Sequence, residues 1–76
     1  MIRELDTVVL VRDLEDYALK EGDVGAVVHC YVDGKNFEVE FVTGEGRTVA
    51  VATLSEADVR PMCREEILHV RALLPA

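Results

Sequence analysis

Residues 36–42 read NFEVEFV, and this stretch decides the fold class of the chain. Its large apolar side chains, Phe37, Val39 and Phe41, alternate with Glu38 and Glu40. Because successive side chains of a β-strand point to opposite faces, the stretch predicts a strand with one buried face and one hydrated, acidic face. We expect the buried side chains to pack against apolar residues of other strands, namely Val8, Leu10, Val28 and Val51.

On either side of this strand, short apolar runs and turn residues alternate. The apolar runs predict further strands at residues 8–11, 25–31, 47–53 and 59–61. The Asp33-Gly34 pair and the glycine-containing residues 43–46 predict the two hairpin turns beside the central strand. Residues 54–58 predict one helical turn, and Pro61 restricts the last strand to an edge of the sheet.

From residue 64 the spacing of apolar residues changes to that of a helix. Three of them share one stripe and two lie beside it: Ile67, Val70 and Leu74, then Leu68 and Leu73. Acidic residues come first and Arg71 comes late, which is the charge order that a helix dipole favours. The pattern predicts one domain over residues 1–76, with a C-terminal α-helix over residues 64–74.

Five short strands, a long first loop, two tight hairpins and a helical turn before the last strand resemble an SH3-like barrel. The residues that carry the likeness are LKEGDVGAVV at 19–28, FEVEF at 37–41 and residues 54–61. The pattern is similar to the KOW-type barrels of ribosomal and transcription proteins, and to the barrel in the small subunit of nitrile hydratase-like enzymes. The resemblance implies a mainly β fold, a small five-stranded SH3-like barrel.

A more extensive likeness is to a family of small bacterial proteins, the domain-of-unknown-function 4926 family. The matching stretches are ELDTVVL at 4–10, residues 19–28, YVDGKNFEVEF at 31–41, DVRP at 58–61 and EILHVR at 66–71. This resemblance implies a compact, stand-alone bacterial protein and supplies no activity. Val11 occupies a position where the resemblance leads us to expect a polar residue.

The charge balance bears on the kind of partner. Eight Lys and Arg residues stand against 15 Asp and Glu residues, for a formal net charge of -7. Binding to phosphate backbones requires clustered positive charge, so this balance disfavours nucleic acid and favours a basic partner. The charged start MIRELD predicts no signal peptide, and no apolar run has the length of a membrane span. We therefore expect a cytoplasmic protein.

Cys30 and Cys63 are far apart in the sequence. In the cytoplasm thiols stay reduced, so we expect free cysteines, with a disulfide as the less favoured alternative. A zinc site built from both cysteines, His29 and His69 is less favoured still, because the C-x₂-C spacing of such sites is missing. We expect no cofactor and no metal.

Acidic residues provide the first group of candidate partner-binding residues. Asp13, Glu15 and Asp16 lie in the long first loop, and Glu38 and Glu40 share the hydrated face of the central strand. They could dock a basic partner, and the loop could alternatively hold a divalent cation, although its spacing does not match a calcium-binding loop. Solvated surface residues without a partner are the plainer interpretation. His29 is likewise expected on the barrel surface.

The predicted C-terminal helix provides the second group. Leu68 and Leu73 would point sideways from a helix that docks on the barrel, and Arg71 lies between them. A homodimer or a partner could bury them, or the helix could simply close one end of the barrel.

We therefore predict a non-catalytic protein-interaction module that binds a basic protein partner. One specific form is an antitoxin or immunity-type protein that covers the basic active site of a toxin enzyme. The alternatives are a nucleic-acid-binding KOW-like barrel and an accessory subunit of a metabolic enzyme. A basic, aromatic face would indicate nucleic acid, and the central strand carries Glu38 and Glu40 instead.

Overall fold

A computed structural model describes residues 2–73 of the chain as a mainly β protein with one five-stranded antiparallel sheet. The strands are β1 (Thr7–Leu10), β2 (Val24–Cys30), β3 (Asn36–Val42), β4 (Thr48–Ser55) and β5 (Val59–Pro61). Their order across the sheet is β4-β3-β2-β1-β5. One short 3₁₀ helix, Glu15–Tyr17, lies in the loop between β1 and β2.

The predicted strands are confirmed, with β3 and β5 at the bounds that the sequence indicates. β4 runs two residues further than predicted, because Leu54 and Ser55 continue its ladder opposite Phe37 and Asn36. The predicted helical turn is therefore replaced by a tight turn between β4 and β5. Asp58 holds this turn by accepting hydrogen bonds from the Ser55 amide and hydroxyl.

The core lies on one face of the sheet, where Phe37, Val39 and Phe41 are buried as predicted. The other buried apolar residues of this cluster come from all parts of the sheet and from the first loop: Val8, Leu10, Leu14, Leu19, Val27, Ala52, Leu54 and Val59. The sheet is thus built around alternating positions of β3, as its period of two requires.

Two predicted core residues, Val28 and Val51, are exposed instead. Val51 pairs with Glu40 and therefore shares its outward face, whereas Ala52 pairs with Val39 and points inward. In β2 the register shifts between Val27 and His29, so Val27 enters the core and Val28 does not. A shift of one residue moves a side chain to the opposite face.

The predicted barrel is not closed by hydrogen bonds in the described chain. β1 pairs with both β2 and β5, but no ladder joins β5 to β4 within residues 2–73. The sheet is therefore open, with β4 and β5 as its two edges.

The predicted helix over residues 64–74 is wrong for every position that the structure describes; Leu74 lies outside the described residues. One turn forms, in which the Glu66 amide donates to the Cys63 carbonyl at 3.1 Å (N···O), and the chain then continues without regular structure. An isolated helix of this length is marginal in water unless its apolar face is packed. Here Ile67, Leu68 and Val70 are exposed, so packing does not supply that stabilisation.

Two ion pairs hold residues 66–73, which we call the C-terminal segment, against the sheet. The two carboxylate oxygens of Glu66 accept hydrogen bonds from the two terminal nitrogens of Arg60 in β5, at 2.8 and 2.6 Å. Arg71 donates through Nε and Nη2 to the two oxygens of Asp23, at 2.8 and 2.6 Å, just before β2. Because β1 lies between β5 and β2, the segment must cross it, and an extended chain covers that distance in fewer residues than a helix.

Val9 lies on the outer face of β1. It alternates with Val8 and Leu10, which face the core, and it pairs with Val24 and Arg60 on the outer face. Even so, Val9 is only 7% exposed, and it is not part of the core cluster.

Candidate protein-binding site

The first loop projects its acidic residues because it folds back on itself at Leu14 and Leu19. The backbone amide of each residue donates to the carbonyl of the other, at 2.8 and 3.1 Å (N···O). Both leucine side chains are buried in the core. Ala18 completes the bend in a left-handed conformation, with φ of 58°. The 3₁₀ helix Glu15–Tyr17 lies between these anchors, so its side chains are exposed.

This loop forms one wall of a surface cleft of about 350 Å³, and the end of β4 with the turn before β5 forms the other. We call it the acidic cleft and define it by six of its lining residues: Asp13, Glu15, Asp16, Tyr17, Thr53 and Asp58. Four of the six carry carboxylates, and Tyr17 adds an exposed aromatic ring. The cleft therefore has the charge and the apolar surface to hold a basic side chain.

Asp58 has a structural role, because both of its carboxylate oxygens accept hydrogen bonds. Its Oδ1 accepts from Nε of Arg12 at 2.6 Å, and its Oδ2 accepts from the Ser55 amide at 2.9 Å. Burial alone would raise the pKa of Asp58, but the hydrogen bonds from Ser55 and Arg12 outweigh it and lower the pKa. Arg12 also lines the acidic cleft, and its positive charge is balanced there by Asp58.

Asp13 also has a structural role, because its Oδ1 accepts from the Glu21 amide at 2.8 Å and braces the two ends of the loop. Glu15 and Asp16 differ from Asp13 and Asp58. Neither carboxylate has a hydrogen bond or an ion pair with another side chain or backbone group of residues 2–73. Within the acidic cleft, Glu15 and Asp16 are therefore the carboxylates that the described chain leaves unpaired.

Glu38 lies on the outer face of β3 and is linked to the acidic cleft through Thr53. Thr53 donates to Glu38 Oε2 at 2.6 Å, and the Tyr31 hydroxyl donates to the same oxygen. These bonds lower the pKa of Glu38, and the bond to Glu38 raises the pKa of Tyr31. The Tyr31 ring meets His29 edge-on, with centroids 4.9 Å apart. Glu38 thus extends the negative charge beyond the cleft.

Glu40 does not join this group. Its Oε2 accepts from Thr48 at 2.6 Å, towards the other end of β4. Of the acidic residues singled out in the sequence, the structure brings Asp13, Glu15 and Asp16 into one cleft, with Glu38 beside it.

The remaining candidates, Leu68, Arg71 and Leu73, lie elsewhere. They line a groove at the end of the sheet where β2 begins and β3 ends. Leu68 is exposed, whereas Arg71 and Leu73 are half-buried. The predicted site residues therefore belong to two separate places.

Sequence reasoning missed Tyr17, Thr53 and Asp58 as cleft residues. Asp58 is 46 positions from Arg12 in the chain, so their ion pair has no local signature. Tyr17 carried no decisive signal, because Leu14 and Leu19 of the same loop are apolar and are buried in the core, whereas Tyr17 is exposed.

Other chemistry is limited in the described residues. Cys30 and Cys63 are free thiols, the first half-buried and the second exposed. Within residues 2–73 no three His, Cys, Asp or Glu side chains gather closely enough to hold a metal ion. In the same part of the chain, no helix has the length and apolar character needed to cross a membrane.

The ion-paired carboxylates predict how stability depends on pH. The pKa values of Asp23 and Asp58 lie below the ordinary 3.8. Hydrogen bonds from the Arg60 side chain and from the Cys63 amide lower the pKa of Glu66 from 4.5 to about 2. The unfolded chain takes up these protons at higher pH than the folded chain does. The stabilisation is therefore complete above the unfolded pKa values and is lost as the pH falls through the folded ones.

We expect the urea midpoint to change little between about pH 7 and pH 5, and to fall steadily below about pH 4. Replacing Glu66 with glutamine should flatten that acid-side slope more than Glu65→Gln does, because Glu66 is paired with Arg60 and Glu65 has no ion pair in the described chain. Equal slopes for both variants and the parent would contradict this assignment.

These features define a small, mainly β protein with an acidic surface cleft. The chain belongs to the family described as Domain of unknown function (DUF4926), whose model matches residues 4–61. This range contains all five strands and the entire acidic cleft. It ends at the last residue of β5, so the stretch at residues 66–71 lies beyond it. No curated protein and no solved structure gives a significant match to the chain.

Proposed function

We propose that this protein is a non-catalytic interaction module that binds a basic segment of a protein partner in the acidic cleft. One observation carries the proposal: Glu15 and Asp16 stand beside exposed Tyr17 in the cleft and have no ion pair within residues 2–73, because Arg12 of the same cleft is paired with Asp58. A partner that brings an arginine or lysine would supply that cation. The net charge of -7 would also speed its approach.

We further propose that the sheet is an opened form of an SH3-like barrel. The strand order β4-β3-β2-β1-β5, with β1 paired on both sides, supports this assignment. In such an arrangement the first loop and the β4–β5 turn meet at one end, which is where the acidic cleft lies.

In its most specific form, the partner is a toxin enzyme with a basic active site, and the protein is its antitoxin or immunity protein. The excess of carboxylates and the position of Glu38 beside the cleft support this form. It predicts a stoichiometric complex and protection of cells in which the enzyme is co-expressed. A stable complex with a metabolic enzyme, and no such protection, would instead support an accessory subunit.

Binding of a fluorescein-labelled hexa-arginine peptide tests the proposal with the whole chain. Replacing Glu15 with glutamine and Asp16 with asparagine should weaken binding about fivefold, because two exposed ion pairs contribute roughly 1 kcal/mol together. Binding should also weaken as salt is added, since exposed charges are screened.

The matched control removes two other exposed acids, through Glu45→Gln with Glu65→Gln. Both variants carry the same net charge, so a cleft-specific site predicts that the control changes the affinity less than twofold, near the scatter of about 0.4 kcal/mol expected of unrelated surface changes. If both variants lose the same affinity, or neither loses any, the acidic cleft is not the binding site and the proposal fails.

A further inference from the structure

A second surface, separate from the acidic cleft, is a groove beneath the C-terminal segment. On the sheet side it is lined by Leu19, Val24, Phe41, Val42 and Val49, and Asp23 lies at its end. On the other side it is bounded by Leu68, Val70 and Leu73 of the segment. A volume of about 480 Å³ remains between the two walls, so the segment spans the groove without filling it.

The segment is anchored in this groove by one side chain. Arg71 makes its two-pronged contact with Asp23, and its Nη2 also donates to the Ala18 carbonyl at 3.3 Å. The two charged side chains are only 24% and 15% exposed. A planar guanidinium on a carboxylate is the most directional ion pair that a protein can make.

Beyond this anchor the segment is poorly attached. Ile67 is 92% exposed and Val70 is 88% exposed. No backbone hydrogen bond joins residues 67–73 to the sheet or its loops within the described chain. The segment therefore depends on Arg71 at this end and on the Glu66–Arg60 pair at the other.

We propose that the groove is a docking site for an extended segment of a partner protein, and that the C-terminal segment is its built-in, displaceable occupant. The partner segment carries an arginine for Asp23, followed two residues later by an apolar residue in the position of half-buried Leu73. Charge complementarity at Asp23 and the occupant already seated there identify this chemistry. The inference rests on the proposed role as an interaction module and adds a second, self-covered site to it.

The experiment adds the C-terminal segment as a separate peptide and measures whether it binds in the groove. A labelled peptide with the sequence of residues 66–73 (EILHVRAL) is titrated into the full-length protein and into its Arg71→Ala variant. In the parent the resident segment competes at high effective concentration, so the peptide should bind weakly. In the variant the competitor has lost its anchor, and binding should be at least about tenfold tighter.

Three controls make the result specific. Arg64→Ala removes an exposed arginine that has no ion pair within residues 2–73, and this variant should bind the peptide as the parent does. Adding Asp23→Asn to the Arg71→Ala variant should abolish the gain, because the anchor for the peptide is then missing. Circular dichroism checks the folding of each variant. If Arg71→Ala does not fold, Arg71→Lys replaces it in the experiment. Arg71→Lys keeps the charge but loses the two-pronged contact, so its gain in peptide affinity should be smaller.

Equal peptide binding by the parent and by a folded Arg71→Ala variant would overturn the inference. A parent protein that is dimeric at tens of micromolar and becomes monomeric on Arg71→Ala would also overturn it, because the occupant would then be the segment of a second copy. Measuring both peptides on the Glu15→Gln, Asp16→Asn double variant distinguishes the two proposals. Those changes should weaken hexa-arginine binding and leave binding of the 66–73 peptide unchanged.

Discussion

Replacing Phe41 with alanine should lower the free energy of unfolding by about 3–5 kcal/mol, as deletion of a buried aromatic ring commonly does. Phe41 is 3% exposed and is one of the two largest side chains in the core. Its neighbours cannot move in to fill the space, because Ala50 lies opposite it on β4 and Gly25 lies beside it on β2. The native stability of a domain is typically 5–15 kcal/mol, and a small domain is near the lower end, so this variant should be largely unfolded at moderate temperature.

Urea unfolding followed by circular dichroism measures the effect. Val42→Ala is the matched control, because Val42 is the next residue of β3 and is exposed on the outer face. It should cost well under 1 kcal/mol, as surface substitutions usually do. A loss below about 1 kcal/mol for Phe41→Ala would mean that β3 does not present this face to the core.

Replacing Gly25 with alanine should cost about 1–3 kcal/mol, because overpacking a filled core forces side chains or backbone to move. A methyl group on Gly25 would lie 2.7 Å from Val39 Cγ1, 2.9 Å from Phe41 Cε1 and 3.0 Å from the Glu40 carbonyl oxygen. The side chains are packed in the core and the carbonyl belongs to the neighbouring strand, so none of them can withdraw cheaply. The change replaces the most flexible residue type, which would by itself stabilise the fold. A loss of stability for Gly25→Ala would therefore show that β2 and β3 are in close contact at this position.

Gly44→Ala provides the comparison. Gly44 lies in the β3–β4 turn with no heavy atom within 4 Å of the position that a methyl group would take, and it has no left-handed backbone conformation. Its replacement should be neutral or slightly stabilising. If Gly25→Ala behaves in the same way, β2 and β3 do not approach each other as closely as described.

The sheet was predictable because β3 carries an unbroken period of two over seven residues, and its flanking turns are chemically distinct. Val51 was misplaced because β4 offers valines on one face and alanines on the other, and size alone favours the valines for the core. Ala52 is buried and Ala50 is half-buried because they lie opposite Val39 and Phe41, where little space remains. That pairing depends on register, which local sequence does not specify.

The C-terminal segment shows the reverse case. Its apolar spacing fits a helix, but spacing alone stabilises a helix only if a surface receives the apolar stripe. Two ion pairs with residues distant in the sequence, Arg60 with Glu66 and Arg71 with Asp23, hold the chain extended instead. Glu15 and Asp16 of the acidic cleft could be predicted from the acidic sequence of the first loop. Asp58 could not be predicted, because only the β4–β5 turn places it in the cleft.

Chemical-shift mapping with the same hexa-arginine peptide tests the central claim, binding at the acidic cleft, most directly. Amide signals of uniformly labelled, full-length protein are followed as the peptide is added. The account predicts that the largest shifts fall on residues 13–17 and on Thr53 and Asp58, with Glu45 and Glu65 unmoved. Shifts spread evenly over all acidic residues, or concentrated away from residues 13–17, would contradict it.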